Sequence, residues 1–219
     1  MMEKQKSVQQ KMEAFLERTP PVPLLLHSCC APCSSHCMEV LCKAVHLTVF
    51  YYNPNISPDA EYEKRLAEEH RLIGRYNEEI AQGIRTGYPI RIRDGAYEPE
   101  RFFELAKGLE MCPERGERCF RCYELRLRET ARMAALEGYA CFATTLTLSP
   151  LKDAAKLNEI GERLGEEYGV PYLATDFKKK GGYQRSLELS RQYGLYRQDF
   201  CGCVYSKAQR EKEKAEKLR

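Results

Sequence analysis

The sequence has no apolar run near the length of a membrane span, so a membrane protein is not expected. Residues Met1 to Arg18 are polar and charged and lack the apolar core of a secretory signal. A cytoplasmic location follows, where thiols are kept reduced. Internal repeats and Gly- or Ser-rich linkers are also missing, which favours one domain. Net charge is only +3, too small to mark a nucleic-acid binder by itself. Asparagine is scarce beside plentiful Glu, Lys and Arg, a balance found in thermophiles, the setting in which intracellular disulfides do occur. Glycines are absent from the first strand-to-helix turn, where a phosphate-binding loop would need them.

Thiols stand there instead. The chain is organised around Leu24-Leu25-Leu26-His27-Ser28-Cys29-Cys30-Ala31-Pro32-Cys33, a short buried strand whose end carries three cysteines. In open α/β sheets the carboxyl end of the first strand is a favoured ligand position. Spacings of three and four let a helical turn aim Cys29, Cys30 and Cys33 at one spot. A lone cysteine is often a small buried hydrophobe, but three within five positions point to a metal or cluster. The chain holds eleven cysteines, and reduced thiols at that density imply metal or redox chemistry.

Hydrophobic spacing places the remaining elements. A helix is expected over residues 4–18, then strands at Leu24–Leu26 and Leu47–Tyr52 with a helix between them from Cys33 to about Val45. Asp59 is expected to cap a long helix. A strand follows over Pro89–Ile92, then helices opening at Glu98-Pro99 and at Cys119. Tyr139–Thr144 reads as a strand, Asp153–Tyr168 as an amphipathic helix, Pro171–Ala174 as a last strand and Tyr183–Tyr193 as a helix. The tail beyond Ser206 reads as a solvated or fraying helix. Alternating strands and helices mean an α/β fold, a parallel sheet with helices on both faces. The expected organisation is an N-terminal extension over 1–22, one catalytic α/β domain over 23–206 and a charged tail over 207–219.

Three cysteine groups fall where a parallel sheet gathers its functional loops: Cys29/Cys30/Cys33, Cys119/Cys122 and Cys201/Cys203. The C-x-x-C spacing of the second serves zinc, redox pairs and iron–sulfur ligation alike. Gly202 permits the turn that lets Cys201 and Cys203 meet one centre. Seven thiols exceed a single four-coordinate zinc and fit a four-cysteine cluster plus a neighbouring centre. Cys37, Cys42 and Cys141 read as buried packing; Cys112, in a loop, is ambiguous. A basic late segment, Lys178-Lys179-Lys180 with Arg185 and Arg197, is either a phosphate-binding surface or an ordinary solvated face.

Several strings together resemble one family. They are His27-Ser28-Cys29-Cys30-Ala31-Pro32-Cys33-Ser34; Arg118-Cys119 with Cys122-Tyr123 and Arg126; Thr145-Leu146 with Ser149-Pro150 and Lys152; Asp176-Phe177-Lys178-Lys179; and Tyr196 through Cys203. From about Pro23 to Ser206 the chain is similar to the cobalamin-independent epoxyqueuosine reductases of the QueH type. The resemblance implies a cytoplasmic oxidoreductase of queuosine biosynthesis and tRNA processing, acting on epoxyqueuosine in the tRNA anticodon loop. It implies a fold similar to the nucleotide-binding layer of PP-loop tRNA-modifying enzymes, a 4Fe-4S cluster, and a second metal ion, iron, beside it; the cluster is expected to draw on all three cysteine groups, from Cys29, Cys30, Cys119, Cys122, Cys201 and Cys203. An external electron donor is also implied. The Ser-Gly-Gly-x-Asp-Ser phosphate loop is missing, which counts against ATP use, and nothing resembles a cobalamin site.

Removing the epoxide oxygen as water takes two electrons and a proton donor, so a cluster passing single electrons would benefit from a second centre. Tyr52, Tyr183 and His27 are candidate acids, and Asp176 and Asp199 candidate carboxylate ligands; Asp153 reads as a helix cap. Two other functions fit parts of the pattern. One is a cluster-dependent tRNA sulfur transferase, disfavoured by the missing phosphate loop. The other is a non-catalytic, zinc-stabilised RNA-binding module.

Overall fold

The computed structural model describes residues 7–17 and 20–217. Four parallel strands, β1 Pro23–His27, β2 His46–Tyr51, β3 Arg91–Asp94 and β4 Cys141–Thr144, form one sheet in the order β3-β2-β1-β4. The helices among the described residues are α1 Val8–Leu16, α2 Ala31–Leu41, α3 Asp59–Ala81, α4 Pro99–Ala106, α5 Glu117–Leu136, α6 Ala154–Tyr168, α7 Gly182–Gln192 and α8 Val204–Lys217. A 3-10 turn, Thr145–Leu148, follows β4 directly. No described helix is long and apolar enough to cross a membrane.

Strand alternation builds the two layers. Leu24 and Leu26 of β1 point to one face, where they join Val49, Ala143, Met38, Leu72, Ile73 and Leu189 from the sheet and from α2, α3 and α7. Leu25, Phe50 and Phe142 point to the other, against Leu127, Ala131, Leu157 and Leu164 of α5 and α6. Side chains of successive strand residues must diverge in this way, so a triple-leucine run is what a strand covered on both faces requires. The expectation of helices on both faces of a parallel sheet is met.

Several element ends differ from expectation. Helix α1 begins at a capping box in which Ser7 and Gln10 exchange side-chain and backbone bonds; the rest of the span expected over 4–18 lies partly outside the described residues. Pro58, not Asp59, precedes the first turn of α3, and Asp59 is its first helical residue, where its charge suits the helix dipole. Asp153 does cap α6, accepting from the Lys156 N–H at 3.0 Å. The strand expected over Pro171–Ala174 is not one: a single bridge joins Phe142 and Tyr172. Asn158 of α6 then takes over the ladder groups of Thr175, donating to its carbonyl at 3.0 Å and accepting from its N–H at 3.2 Å. A side-chain clasp meets the backbone's hydrogen-bonding demand as well as a strand would. The tail is ordered, since α8 begins at Val204 and runs to Lys217.

Chain order and sheet order part company at β1. From β1 the chain moves outward through β2 and β3, and it then returns to add β4 on β1's other side. This is the switch point at which open α/β sheets place ligands.

Behind that edge lies Glu69 of α3, fully buried, with Ser34 Oγ donating to it at 2.5 Å. Burial pushes its carboxyl up to about 8 from an ordinary value of 4.5. The neutral form is therefore the one the fold accommodates. Stability from this group is fully present below its unfolded value and is lost as pH rises toward 8, at about 1.4 kcal/mol per pH unit. Replacing Glu69 by Gln is expected to flatten the fall in unfolding free energy between pH 4.5 and 8; urea melts across that range measure it.

Candidate metal centre

The turn from β1 into α2 is locked before any thiol is placed. Ser28 N–H donates to Phe50 O at 2.9 Å, and Asn53 Nδ2 donates to Ser28 O at 2.8 Å. Cys30 then stands at the N-cap of α2 in extended backbone, its thiol making no cap bond. Its carbonyl accepts from Cys33 and Ser34 N–H at 3.0 and 3.1 Å. Pro32 sits in the first turn, where its missing N–H costs nothing. The result brings the sulfurs of Cys29, Cys30 and Cys33 within 4.8 Å of one another. Among the described residues this is the one His/Cys/Asp/Glu group so arranged. Cys29 and Cys30 Sγ are 3.8 Å apart. The Cys30 and Cys33 thiols bond to Cys29 and lower its pKa well below the ordinary value, while Cys30 is pushed up to about 12. One member of the group thus carries thiolate charge readily, the form that binds metal.

This group opens onto a cavity of about 310 Å³ at the switch point. Cys119 and Cys201 line its far side, and Lys152, Arg126, Tyr123 and Tyr183 contribute to the wall. A small cleft of about 20 Å³ next to it is lined by Cys119, Cys122, Cys201 and Cys203 together. Cys119 and Cys122 come from the first two turns of α5; Cys201 and Cys203 flank the turn before α8. Gly202 has φ +122, and a Cβ there would meet Ile56 Cγ1 at 2.9 Å and Arg65 Nη1 at 3.1 Å, so glycine is demanded by both conformation and space. Arg65 Nη1 donates to Cys201 O at 3.1 Å, and Ser57 N–H to Gly202 O at 2.9 Å. Ser206 Oγ accepts from Cys201 N–H at 2.9 Å.

The cleft's polar lining suits an anionic, acceptor-rich occupant. Both side-chain polar atoms of Asn55 and Nη2 of Arg126 are buried with no hydrogen-bond partner, and both residues line the cleft. Unpaired buried polar groups are costly, and sulfur ligands or cluster sulfides would accept from the two donors. Four cysteines converging with spare donors fit a thiolate-bound cluster. Burial pushes Cys122 up to about 11 and Cys203 up to about 12. Burial would also raise Cys201, but Lys152 and Arg126 reverse it and bring that thiol below the ordinary value.

The other sequence-predicted residues are distributed unevenly. Tyr183, Arg197 and Asp199 line the cavity; Asp199 also pairs with Lys214, whose hydrogen bond holds its carboxyl below the usual range. His27 does not line the cavity. Its Nε2–H donates to Tyr52 O at 3.1 Å, its Nδ1 accepts from Thr144 Oγ1 at 3.0 Å, and burial holds its pKa down at about 3. Tyr52 turns elsewhere, donating to Glu98 at 3.1 Å and accepting from Arg101 at 2.9 Å. Asp176 meets Lys178 at 3.2 Å and Lys179 at 3.6 Å, Lys180 pairs with Glu13, and Arg185 is engaged by Glu39 and Glu188; none of these lines the cavity. Cys37, Cys42 and Cys141 are buried in the core cluster under the sheet, and Cys112 lies in the loop before α5.

Sequence reasoning assigns no role to Arg126, Asn55 or Lys152. Arg126 could have been found from its spacing, four residues after Cys122 on one helix face. Asn55 carries no local signal, because only the folded chain brings it to the cysteines.

A parallel α/β sheet with thiols gathered at its switch point, three of them able to hold one metal ion, defines a cysteine-metal protein of the layered α/β class. A family model described as epoxyqueuosine reductase QueH matches residues 24–209. Curated relatives bearing that name include one from Staphylococcus epidermidis, 40% identical over 185 residues, 84% of this chain and 75% of the relative. One from Haemophilus influenzae is 39% identical over 185 residues, covering 84% and 71%. One from Thermotoga maritima is 34% identical over 199 residues, covering 88% and 94%. The chain belongs to the epoxyqueuosine reductase QueH family.

The three-thiol group has a direct test. Cobalt(II) added to the metal-free protein under argon is expected to give a thiolate-to-metal charge-transfer band. Cys33→Ser should weaken that binding by on the order of tenfold or more, each decade being about 1.4 kcal/mol, while Cys141→Ser should leave it unchanged. An unaltered titration for Cys33→Ser would mean that the three thiols do not act as one site.

Proposed function

We propose that this chain reduces epoxyqueuosine to queuosine in the anticodon loop of tRNA, without cobalamin and with electrons from an external donor. The observation that carries the reading is that seven thiols in two groups line one cavity and the cleft beside it, in a chain of this family. The cytoplasm, where tRNA is modified and thiols stay reduced, is the proposed location.

In this reading Cys119, Cys122, Cys201 and Cys203 hold a 4Fe-4S cluster, and Cys29, Cys30 and Cys33 hold a second ion, iron. Of the two predicted aspartates, Asp199 is the one at the cavity wall and is the proposed additional ligand. When bound, the metal groups supply the two electrons singly and a Lewis-acidic neighbour for the reacting oxygen. The chain supplies the rest. Epoxide, two electrons and two protons yield alkene and water. Among the three predicted acids only Tyr183 lines the cavity, so its hydroxyl is the proposed proton donor to the departing oxygen. The mostly apolar wall around Pro32, Leu148 and Pro150 excludes water from the base.

Phosphate binding is proposed for the cavity's rim, where Arg115, Arg197 and Arg210 stand. The run Lys178-Lys179-Lys180 and Arg185 extend a basic surface beyond it, with each side chain already facing a carboxylate.

The decisive assay gives the reduced, iron-loaded protein tRNA bearing epoxyqueuosine, with neither cobalamin nor ATP, and weighs the digested nucleosides. Loss of one oxygen is expected; a gain of sulfur, or no change with a fully loaded centre, would sink the proposal. Cys119→Ser should lower iron content and stop turnover, whereas Cys37→Ser should retain both.

RNA binding has its own readout. Alanine at Arg197 and Arg210 together should weaken tRNA binding and flatten its salt dependence, the slope falling by about one for each phosphate no longer neutralised. Reversing Lys178 and Lys179 should flatten it less. The opposite ranking would place the RNA on the lysine run.

A further inference from the structure

Lys152 belongs to a motif for which neither the fold nor the proposed chemistry has yet given a use. It lies in the short connection between the 3-10 turn and α6, half-buried in the cavity wall. Its Nζ is 3.0 Å from Cys201 Sγ, within hydrogen-bonding reach of sulfur, and 5.9 Å from the centre of the Tyr123 ring. A lysine ammonium is a cation at ordinary pH, and here it is placed directly against the Cys201 sulfur. Cys29, a member of the other thiol group, lines the same cavity.

The connection that carries Lys152 does not depend on its side chain. Leu151 N–H bonds Ser149 Oγ at 3.2 Å, and Lys152 N–H bonds Ser149 O at 3.2 Å. Arg115 binds the carbonyls of Pro150 and Leu151 from across the cavity mouth. Asp153 caps the following helix. A loop fixed by backbone and neighbours delivers one flexible cation to one sulfur. Arg126 differs, because its guanidinium is spent partly on the Cys122 carbonyl and on Asn53.

We propose that Lys152 sets the reduction potential of the metal–thiolate centre through an N–H···S hydrogen bond to Cys201. The proposal rests on the reading of Cys201 as a ligand. One-electron reduction adds one negative charge to the centre and moves no atoms. A hydrogen-bond donor and a cation at a ligand sulfur stabilise the more negative, reduced state over the oxidised one, and the partly dry wall keeps that preference from being screened. Lys152 thus acts through Cys201 as a positioning and tuning residue. It lets a donor of modest strength load the centre.

The test uses the whole chain, reconstituted anaerobically with iron and sulfide, as wild type, Lys152→Met, Lys152→Gln and Lys152→Arg. Iron and sulfide are counted, and the midpoint potential is read by mediated dithionite titration followed by electron paramagnetic resonance. All four proteins are expected to hold the same iron and sulfide. The equilibrium constant for one-electron reduction should fall at least tenfold in Lys152→Met, about 59 mV. It should fall less in Lys152→Gln and stay near wild type in Lys152→Arg. A wild-type potential in fully loaded Lys152→Met overturns the proposal, as does a Lys152→Arg potential as low as that of Lys152→Met. Loss of metal from both Lys152→Met and Lys152→Gln, with the circular dichroism of a folded chain, also overturns it, since the lysine would then hold the centre together. A wild-type protein that takes up no reducible centre, or a Cys201→Ser protein with wild-type iron, strikes at the reading of the site beneath.

Discussion

His27 ties the carboxyl edge of the sheet together, and the segments that carry the first thiol group and Lys152 leave from that edge. Its neutral ring reaches Thr144 at the end of β4 and the Tyr52 carbonyl just past β2. Three strand ends are thereby tied by one side chain whose two nitrogens are both satisfied. An imidazolium could not accept from Thr144, so the low proton affinity produced by burial is what makes the tie work. The cysteines of the first turn and the Thr145–Leu148 turn that leads to Lys152 both start within a few residues of this junction. A residue whose type suggests acid–base chemistry serves instead as the joint on which the thiols are registered.

Much of the architecture could be read from the chain because local and global preferences agree. The leucine run, the β-branched and aromatic stretch of β2, and the polar face of α6 each point to the element that forms. The metal-binding character of the first thiol group was equally readable from its short spacing, although Cys29 and Cys30 stand in the turn before α2, Cys30 in extended backbone, and only Cys33 is helical. What escaped the sequence depends on contacts between distant segments. Pro171–Ala174 carries strand-like residues, but it pairs with β4 only around Phe142, and at Thr175 the Asn158 side chain has already taken the backbone groups that would continue a ladder. Nothing near Asn55 hints that it lies beside cysteines from two remote parts of the chain. The lysine run is conspicuous in sequence, with Asp176 beside it, yet Glu13 of α1, the partner of Lys180, is visible only once the chain is folded.

The distribution of charge around the cavity follows from the same long-range assembly. Arg126 and Lys152 are cations set among cysteines, whereas Arg65 beside them is paired with the Glu61 carboxylate at 2.6 Å; buried charge needs such partners. Cys201 in turn loses its proton more readily because Lys152 and Arg126 stand beside it, whereas burial still holds Cys122 protonated. A wall of this kind differs from one in which buried cysteine packs as a small apolar group, as Cys37 does.

The two thiol groups also differ in how far apart in the chain their members lie. Cys29, Cys30 and Cys33 are neighbours, so their sulfurs can meet on one ion with only the head of α2 and the turn before it in place. The set from Cys119 to Cys203 exists only when α5 and the loop before α8 have been brought together, after a large closure entropy has been overcome. An unfolded or nascent chain can thus capture soft ions on the first group alone. Zinc or copper, which bind such sites tightly, would be trapped there before the architecture that selects against them has formed. Mis-metallation should begin at the local group, and the distant group will report completed folding.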